Sequence, residues 1–111
     1  FIASILGRKA TAGTAIYSAT KAAVLMLTQS LALEWARHQI NVNAILPGYM
    51  PTDIVEEWFA SRPGQDQIAG WPRGRLMPVK DLDPGLKFLL SPEARSVSGA
   101  EIVIDDTQRF A

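Results

Sequence analysis

Tyr17 and Lys21 stand four residues apart in AIYSATKAAV, residues 15 to 24, at the mouth of an apolar run. Residues i and i+4 share one face of a helix, so a phenol and an ammonium at this spacing project into the same space. A phenol with an ordinary pKa of about 10 is a poor base at neutral pH, and an ammonium a few ångströms away favours its ionised form. Such a pair can pass a proton to or from a reacting oxygen near working pH. Tyr-x-x-x-Lys also arises by chance on a solvated helix face, and the spacing alone leaves both readings open.

Other stretches carry groups that would complete such chemistry. Ser4 ends an apolar strand thirteen residues before Tyr17, and the carboxyl end of a parallel strand usually faces a ligand crevice. A hydroxyl there can hydrogen-bond a carbonyl oxygen as negative charge grows on it, although a serine at a strand end is equally a turn residue. NAILPGYMPTD, residues 43 to 53, is an apolar strand that stops at Pro47-Gly48 and runs toward a new helix. Gly48 permits close approach of backbone to a ligand, and Thr52 and Asp53 stand where helix N–H groups face an anion. The alternative reading is a Pro-Gly turn followed by a capping box of Asp53 with Glu56.

Composition narrows the function classes. Of 111 residues, 48% are hydrophobic and 20% charged, the profile of a folded globular chain. Eleven basic and eleven acidic side chains cancel, which gives no support for nucleic-acid or membrane-surface binding. The absence of cysteine excludes disulfides and thiolate metal sites, and a single imidazole, His38, makes a histidine-built metal site a poor fit. No apolar stretch approaches the roughly 20 residues of a membrane span, and no signal-peptide pattern follows Phe1. An intracellular, cytoplasmic setting is therefore expected.

The elements that must position these residues alternate between strand-like and helical patterns. The pattern predicts a strand over residues 1–5, a helix over 17–37, a strand over 40–46 and a helix over 53–61. An irregular stretch is expected to residue 78, then a helix over 82–90 and a strand over 101–105. Such alternation argues for an α/β fold with parallel strands and crossover helices. FIASILG opens as the end of a strand without a lead-in, which suggests a piece of a larger domain. Residues 22–27, AAVLML, are apolar over more than a turn and need cover on two sides. A partner subunit or another part of the same protein would provide it. His38, near that helix's end, is expected to be solvated and favoured by the helix dipole.

In order and spacing, Ser4, the Tyr17-x-x-x-Lys21 pair, INVNAILPG with Thr52, and FLLSPEARSVSGAEIVID resemble the C-terminal, catalytic half of a short-chain dehydrogenase/reductase, of the 3-oxoacyl-carrier-protein reductase kind. The resemblance covers essentially all 111 residues, as one half of a single domain. It implies part of a doubly wound, Rossmann-like parallel sheet and hydride transfer between NAD or NADP and a small carbonyl or alcohol substrate. Tyr17 would be the general acid in reduction and the base in oxidation. Lys21 would assist its ionisation and hold the nicotinamide ribose, and Ser4 would polarise the substrate oxygen. Pro47, Gly48 and Met50 would border the nicotinamide, with Thr52 reaching its carboxamide or a neighbouring phosphate. Residues 54–78, with Trp58, Phe59 and Trp71, correspond to a variable substrate lid, unless those aromatics simply pack against the core. A homo-oligomer, dimer or tetramer, is also implied.

Two departures stand out. The glycine-rich turn that holds the pyrophosphate, the residue that selects NAD or NADP, and the family's catalytic asparagine lie upstream of Ser4 in relatives and are not in these 111 residues. The residues alone are therefore not expected to act as a dehydrogenase. Where many relatives close with Asp-Gly-Gly, this chain has Asp105-Asp106-Thr107, so its final turn needs another backbone solution. In DLDPG, residues 81 to 85, Pro84 fits a first helical turn and Asp81 or Asp83 is placed to cap it. The reading from a different class is a non-catalytic fragment acting mainly in self-association. An independent binding module fits poorly, because the apolar helix and sheet would stay half covered.

Overall fold

The computed structural model describes residues 1–111. Along the chain run α1 (Ala15–Trp35), β1 (Ala44–Pro47), α2 (Asp53–Ala60), α3 (Arg62–Ala69), α4 (Asp83–Leu89) and β2 (Glu101–Ile104). β1 is central. It pairs in parallel with β2, from Ala44 opposite Glu101 to Pro47 opposite Ile104. On its other side the opening residues add a parallel bridge between Ile2 and Ile45. The Ala3 N–H donates to the Ile45 carbonyl at 2.8 Å, and the Ile45 N–H donates to the Phe1 carbonyl at 3.0 Å.

Alternation along β1 sends its side chains to two cores. Ala44 and Leu46 join Ala3, Ile5, Leu6 and Leu25 of α1 on one face. Ile45 joins Met77 and Leu82 on the other, flanked by Leu86 and Leu89 of α4. A strand buried on both faces explains the unbroken apolar run, and helices on both faces of a parallel sheet define the α/β class.

The differences from the sequence reading have local causes. Residues 1–5 are not a full strand: after Ala3 the backbone turns into a 3-10 turn, Ile5–Gly7, whose N-cap Ser4 accepts the Leu6 N–H at 3.1 Å. The turn rests on α1 so closely that a Cβ on Gly7 would lie 3.0 Å from the Lys21 carbonyl carbon. Residues 40–43 are not strand either, because their polar groups tie them to the loop before β2. Asn41 donates to the Ala94 and Arg95 carbonyls, and Asn43 both donates to the Val97 carbonyl and accepts from Ala100. The stretch expected to be irregular contains α3. Ser61 caps it by accepting the Gly64 N–H at 3.3 Å, and Pro63 sits in its first turn, where a missing N–H costs nothing. The capping box of the alternative reading at Asp53 is absent: Thr52 is the N-cap and makes no side-chain capping bond. Nor does Asp81 or Asp83 cap α4, whose N-cap is Leu82, although Pro84 does occupy its first turn.

The Asp-Asp-Thr ending has a definite solution. Asp106 and Thr107 both adopt left-handed backbone, φ 49° and 66°, the conformation that glycine enters freely and β-branched residues resist. The Asp105 carboxylate holds the corner by accepting the Thr107 N–H at 3.1 Å and the Arg109 N–H at 3.0 Å. Asp106 is clamped from outside by Arg73 at 3.0 Å and Arg75 at 2.8 Å. Thr107→Gly should therefore stabilise the protein by about 1 kcal/mol, read as a higher Tm in thermal unfolding. An unchanged or lower Tm would contradict stored backbone strain at Thr107.

Candidate active site

The buried residues of α1, Leu25, Thr28 and Ala32, form one stripe along the helix. Stepping back along it by four residues reaches Lys21 and then Tyr17. Packing the apolar part of the stripe on the sheet thus aims the lysine and the phenol at the carboxyl ends of the strands. There the chain leaves its opening segment at Ser4 and β1 at Gly48, and a cleft of about 410 Å³ opens between them. Ser4, Tyr17, Gly48, Met50 and Thr52 line it, with Thr14, Tyr49 and Ile54 among their neighbours.

The polar groups are arranged for work on an oxygen. Ser4 is 8% exposed, and its Oγ accepts only the Leu6 N–H, so the hydroxyl's own hydrogen is free to donate into the cleft. Tyr17 is 48% exposed. The Lys21 Nζ lies 5.6 Å from the centre of the Tyr17 ring and donates to the Ile2 carbonyl at 3.2 Å. That bond fixes the ammonium beside the phenol and leaves two of its three donors for other partners. Lys21 itself stands just behind the cleft's lining, as does Pro47, which ends β1 opposite Ile104.

Gly48 is needed for a different reason from the one its sequence suggests. The group that approaches it is the chain's own: an added Cβ would lie 2.3 Å from Gln108 Oε1 and 2.9 Å from the Asp105 Cα. Thr52, as a cap without a side-chain bond, keeps its hydroxyl unengaged at the start of α2. His38 is exposed and accepts a hydrogen bond from Arg37 at 3.0 Å, outside the site.

Two contributors escaped the sequence reading. Tyr49 lies within the quoted NAILPGYMPTD but was overshadowed by Pro47-Gly48. It stacks on Trp71 at 5.2 Å and meets Phe59 edge-on at 5.6 Å, so these aromatics pack residues 59–71 onto the core, whereas Trp58 faces outward, 51% exposed. Burial pushes the Tyr49 phenol above the usual tyrosine range, and hydrogen bonding to Gln67 and Thr11 offsets part of the rise. Tyr49 therefore stays neutral at physiological pH and serves as a wall, leaving Tyr17 as the phenol set beside an ammonium. Gln108, the second, has no local signal at all; its partners are 59 and 33 residues away.

The residues present fit the nicotinamide end of a dinucleotide. The cleft combines an apolar wall of Ile5, Leu6, Ile54 and Val55 with the free donors of Ser4 and Thr52, and the Lys21 ammonium stands just behind them. No three of the chain's eight glycines form the Gly-x-Gly-x-x-Gly pattern of a pyrophosphate-binding turn.

A family model described as enoyl-(acyl carrier protein) reductase matches residues 1–106. The 2-dehydro-3-deoxy-D-gluconate 5-dehydrogenase of Dickeya dadantii is 39% identical over 105 residues, 94% of this chain and 42% of that protein. Among solved structures, a gluconate 5-dehydrogenase from Burkholderia cenocepacia in complex with NADP and tartrate superposes with a TM-score of 0.92. It is 32% identical and covers 99% of this chain and 44% of its own. A 4-hydroxyisoleucine dehydrogenase mutant complexed with NADH and succinate gives a TM-score of 0.90 at 32% identity, over 99% of this chain and 46% of its own. The chain belongs to the short-chain dehydrogenase/reductase family and corresponds to its C-terminal portion. It is homologous to nicotinamide-dependent dehydrogenases whose structures hold NADH or NADP. It spans 33–42% of the length of the curated relatives it matches. No helix is long and apolar enough to cross a membrane.

Proposed function

We propose that this chain supplies the proton-transfer side of an oxidoreductase that interconverts a small carbonyl compound and its alcohol, using NAD or NADP. The observation that carries the reading is the convergence of Ser4 and Tyr17 on one cleft, with the Lys21 ammonium 5.6 Å from the Tyr17 ring. When bound, the nicotinamide supplies or accepts the hydride. Everything else falls to this chain's side chains. Ser4 donates its free O–H to the substrate oxygen and aligns it. In reduction the Tyr17 phenol gives its proton to that oxygen as negative charge develops there, and in oxidation the phenolate takes the proton back. The Lys21 ammonium stabilises the phenolate left behind and offers its remaining donors to the ribose hydroxyls. Thr52, Met50 and Gly48 border the nicotinamide carboxamide. The rest of the cofactor site belongs to a nucleotide-binding half of the kind that the longer relatives possess.

The substrate class that fits is a small hydroxy acid or the matching keto acid. The three relatives described are named for, or hold, carboxylate-bearing small molecules. Beyond Tyr49 a second cavity of about 350 Å³, lined by Lys9, Thr11, Asp66 and Gln67, offers room for the far end of such a molecule.

α1 leaves Ile16, Met26 and Leu33 at 84%, 61% and 81% exposure, an apolar face whose size supports self-association as a dimer or tetramer. Leu25 is in the core, so the informative disruption is at Leu27, which is 45% exposed. Leu27→Glu should lower the sedimenting mass of the intact protein; an unchanged assembly, or a wild-type monomer at micromolar concentration, would refute this interface.

In the intact protein, assayed with gluconate and NADP, Tyr17→Phe should lower kcat by about 10²–10⁴-fold while leaving cofactor affinity nearly unchanged. Lys21→Ala should weaken both turnover and cofactor binding, and Lys21→Arg should restore only part, because a planar guanidinium is not a compact ammonium. Near-normal turnover in Tyr17→Phe would rule the assignment out.

A further inference from the structure

We infer that Gln108 is a positioning residue for substrate: its buried amide fixes the Gly48–Tyr49 backbone and so sets the wall between the cleft and the second cavity. The inference rests on the reading of the Ser4–Tyr17 cleft as the site of carbonyl reduction.

Gln108 is 2% exposed. Its Oε1 accepts the Tyr49 N–H at 2.6 Å, and its Nε2 donates to the Tyr49 carbonyl at 3.3 Å and to the Arg75 carbonyl at 3.2 Å. One amide thus grips both polar groups of a single residue and also the lid segment. All three partners are backbone groups, so the network is satisfied in one placement of the loop; any other strands buried donors or acceptors. Contact at Gly48 tightens the fit, since nothing larger than hydrogen fits between its Cα and the Gln108 oxygen.

What the grip controls is the Tyr49 ring. Tyr49 lines both the cleft of about 410 Å³ and the cavity of about 350 Å³, and Gln108 lines the latter as well. The corner that carries Gln108 is itself rigid: the Gln108 N–H donates to the Asp105 carbonyl at 2.8 Å, and Asp106 is paired with Arg73 and Arg75. The far end of the substrate therefore meets a wall set from the chain's last turn, while Ser4, Tyr17 and Lys21 are placed by α1 and the opening turn.

The separation predicts a kinetic split in the intact protein. Gln108→Met, similar in volume but without the amide, should raise substrate KM about tenfold or more, with kcat and the NADPH Kd within about twofold, because Gly48 stays held by its N–H donation to the Ile104 carbonyl at 2.9 Å and only Tyr49 is released. Gln108→Asn, whose amide is drawn back by one methylene, should raise KM less, and it serves as the test if the methionine variant does not fold. Ala94→Gly, in the buried 3-10 turn Pro92–Ala94 that lines neither cavity, should lower Tm without moving KM. A second readout needs no turnover. With Trp35 and Trp58 replaced by phenylalanine, Trp71 emission reports its stacking on Tyr49, and Gln108→Met or Gln108→Asn should change it. An unchanged KM in a folded Gln108 variant, an equal KM shift in Ala94→Gly, or unchanged Trp71 emission would overturn the inference. Wild-type protein without any carbonyl reduction would instead defeat the reading of the cleft, and the emission test would still decide whether Gln108 holds Tyr49.

Discussion

The buried stripe of α1 is the constraint on which the site depends. Leu25 at 5%, Thr28 at 0% and Ala32 at 8% exposure lock the rotation of the helix against the sheet. Because Lys21 and Tyr17 continue the same stripe, the lock that hides apolar surface also aims the ammonium and the phenol. The sheet side is equally fixed: Ala44, Ile45 and Leu46 are each at 1% exposure or less, split between two cores. Burying a side chain such as Ile45 or Leu46 is worth about 1.5–3 kcal/mol, so displacing β1 would open both cores together. Its end at Pro47-Gly48 is therefore a fixed edge of the cleft.

The division of labour within the site follows from this. Chemistry at the substrate oxygen is placed by two rigid neighbours, α1 and the 3-10 turn that Ser4 caps. The wall that shapes the rest of the cavity is placed by long-range contacts of the last turn. Replacing Gly-Gly with Asp106-Thr107 costs backbone strain, and the carboxylates of Asp105 and Asp106 offset it with N–H acceptance and ion pairs.

The α/β class and the parallel pairing were legible in the sequence, because they follow from the local alternation of apolar runs and helical patterns; that Ser4, Tyr17, Gly48, Met50 and Thr52 belong to one site was implied by the family resemblance, with only the i, i+4 spacing and the Pro-Gly stop as local signs. α3 was hidden because Ser61-Arg62-Pro63-Gly64 carries two helix breakers. Both sit in the first turn, where Pro63 is harmless and the lack of a Cβ on Gly64 admits the Trp58 carbonyl, which would lie 2.1 Å from such an atom. The length of β1 was overestimated because Asn41 and Asn43 give their side chains to the loop before β2, information that no local window contains. Gln108 is the extreme case: one glutamine in a polar tail becomes structural only through partners far along the chain. The reason for Gly48 was legible as close approach, but the approaching atom was not.

A crystal structure of the intact protein with NADPH and a keto-acid substrate analogue tests the central claim most directly. The account places the Tyr17 hydroxyl and the Ser4 Oγ both within hydrogen-bond reach, about 2.6–3.2 Å, of the same substrate oxygen. A substrate oxygen bound elsewhere, or held by Tyr49 in place of Tyr17, would contradict it.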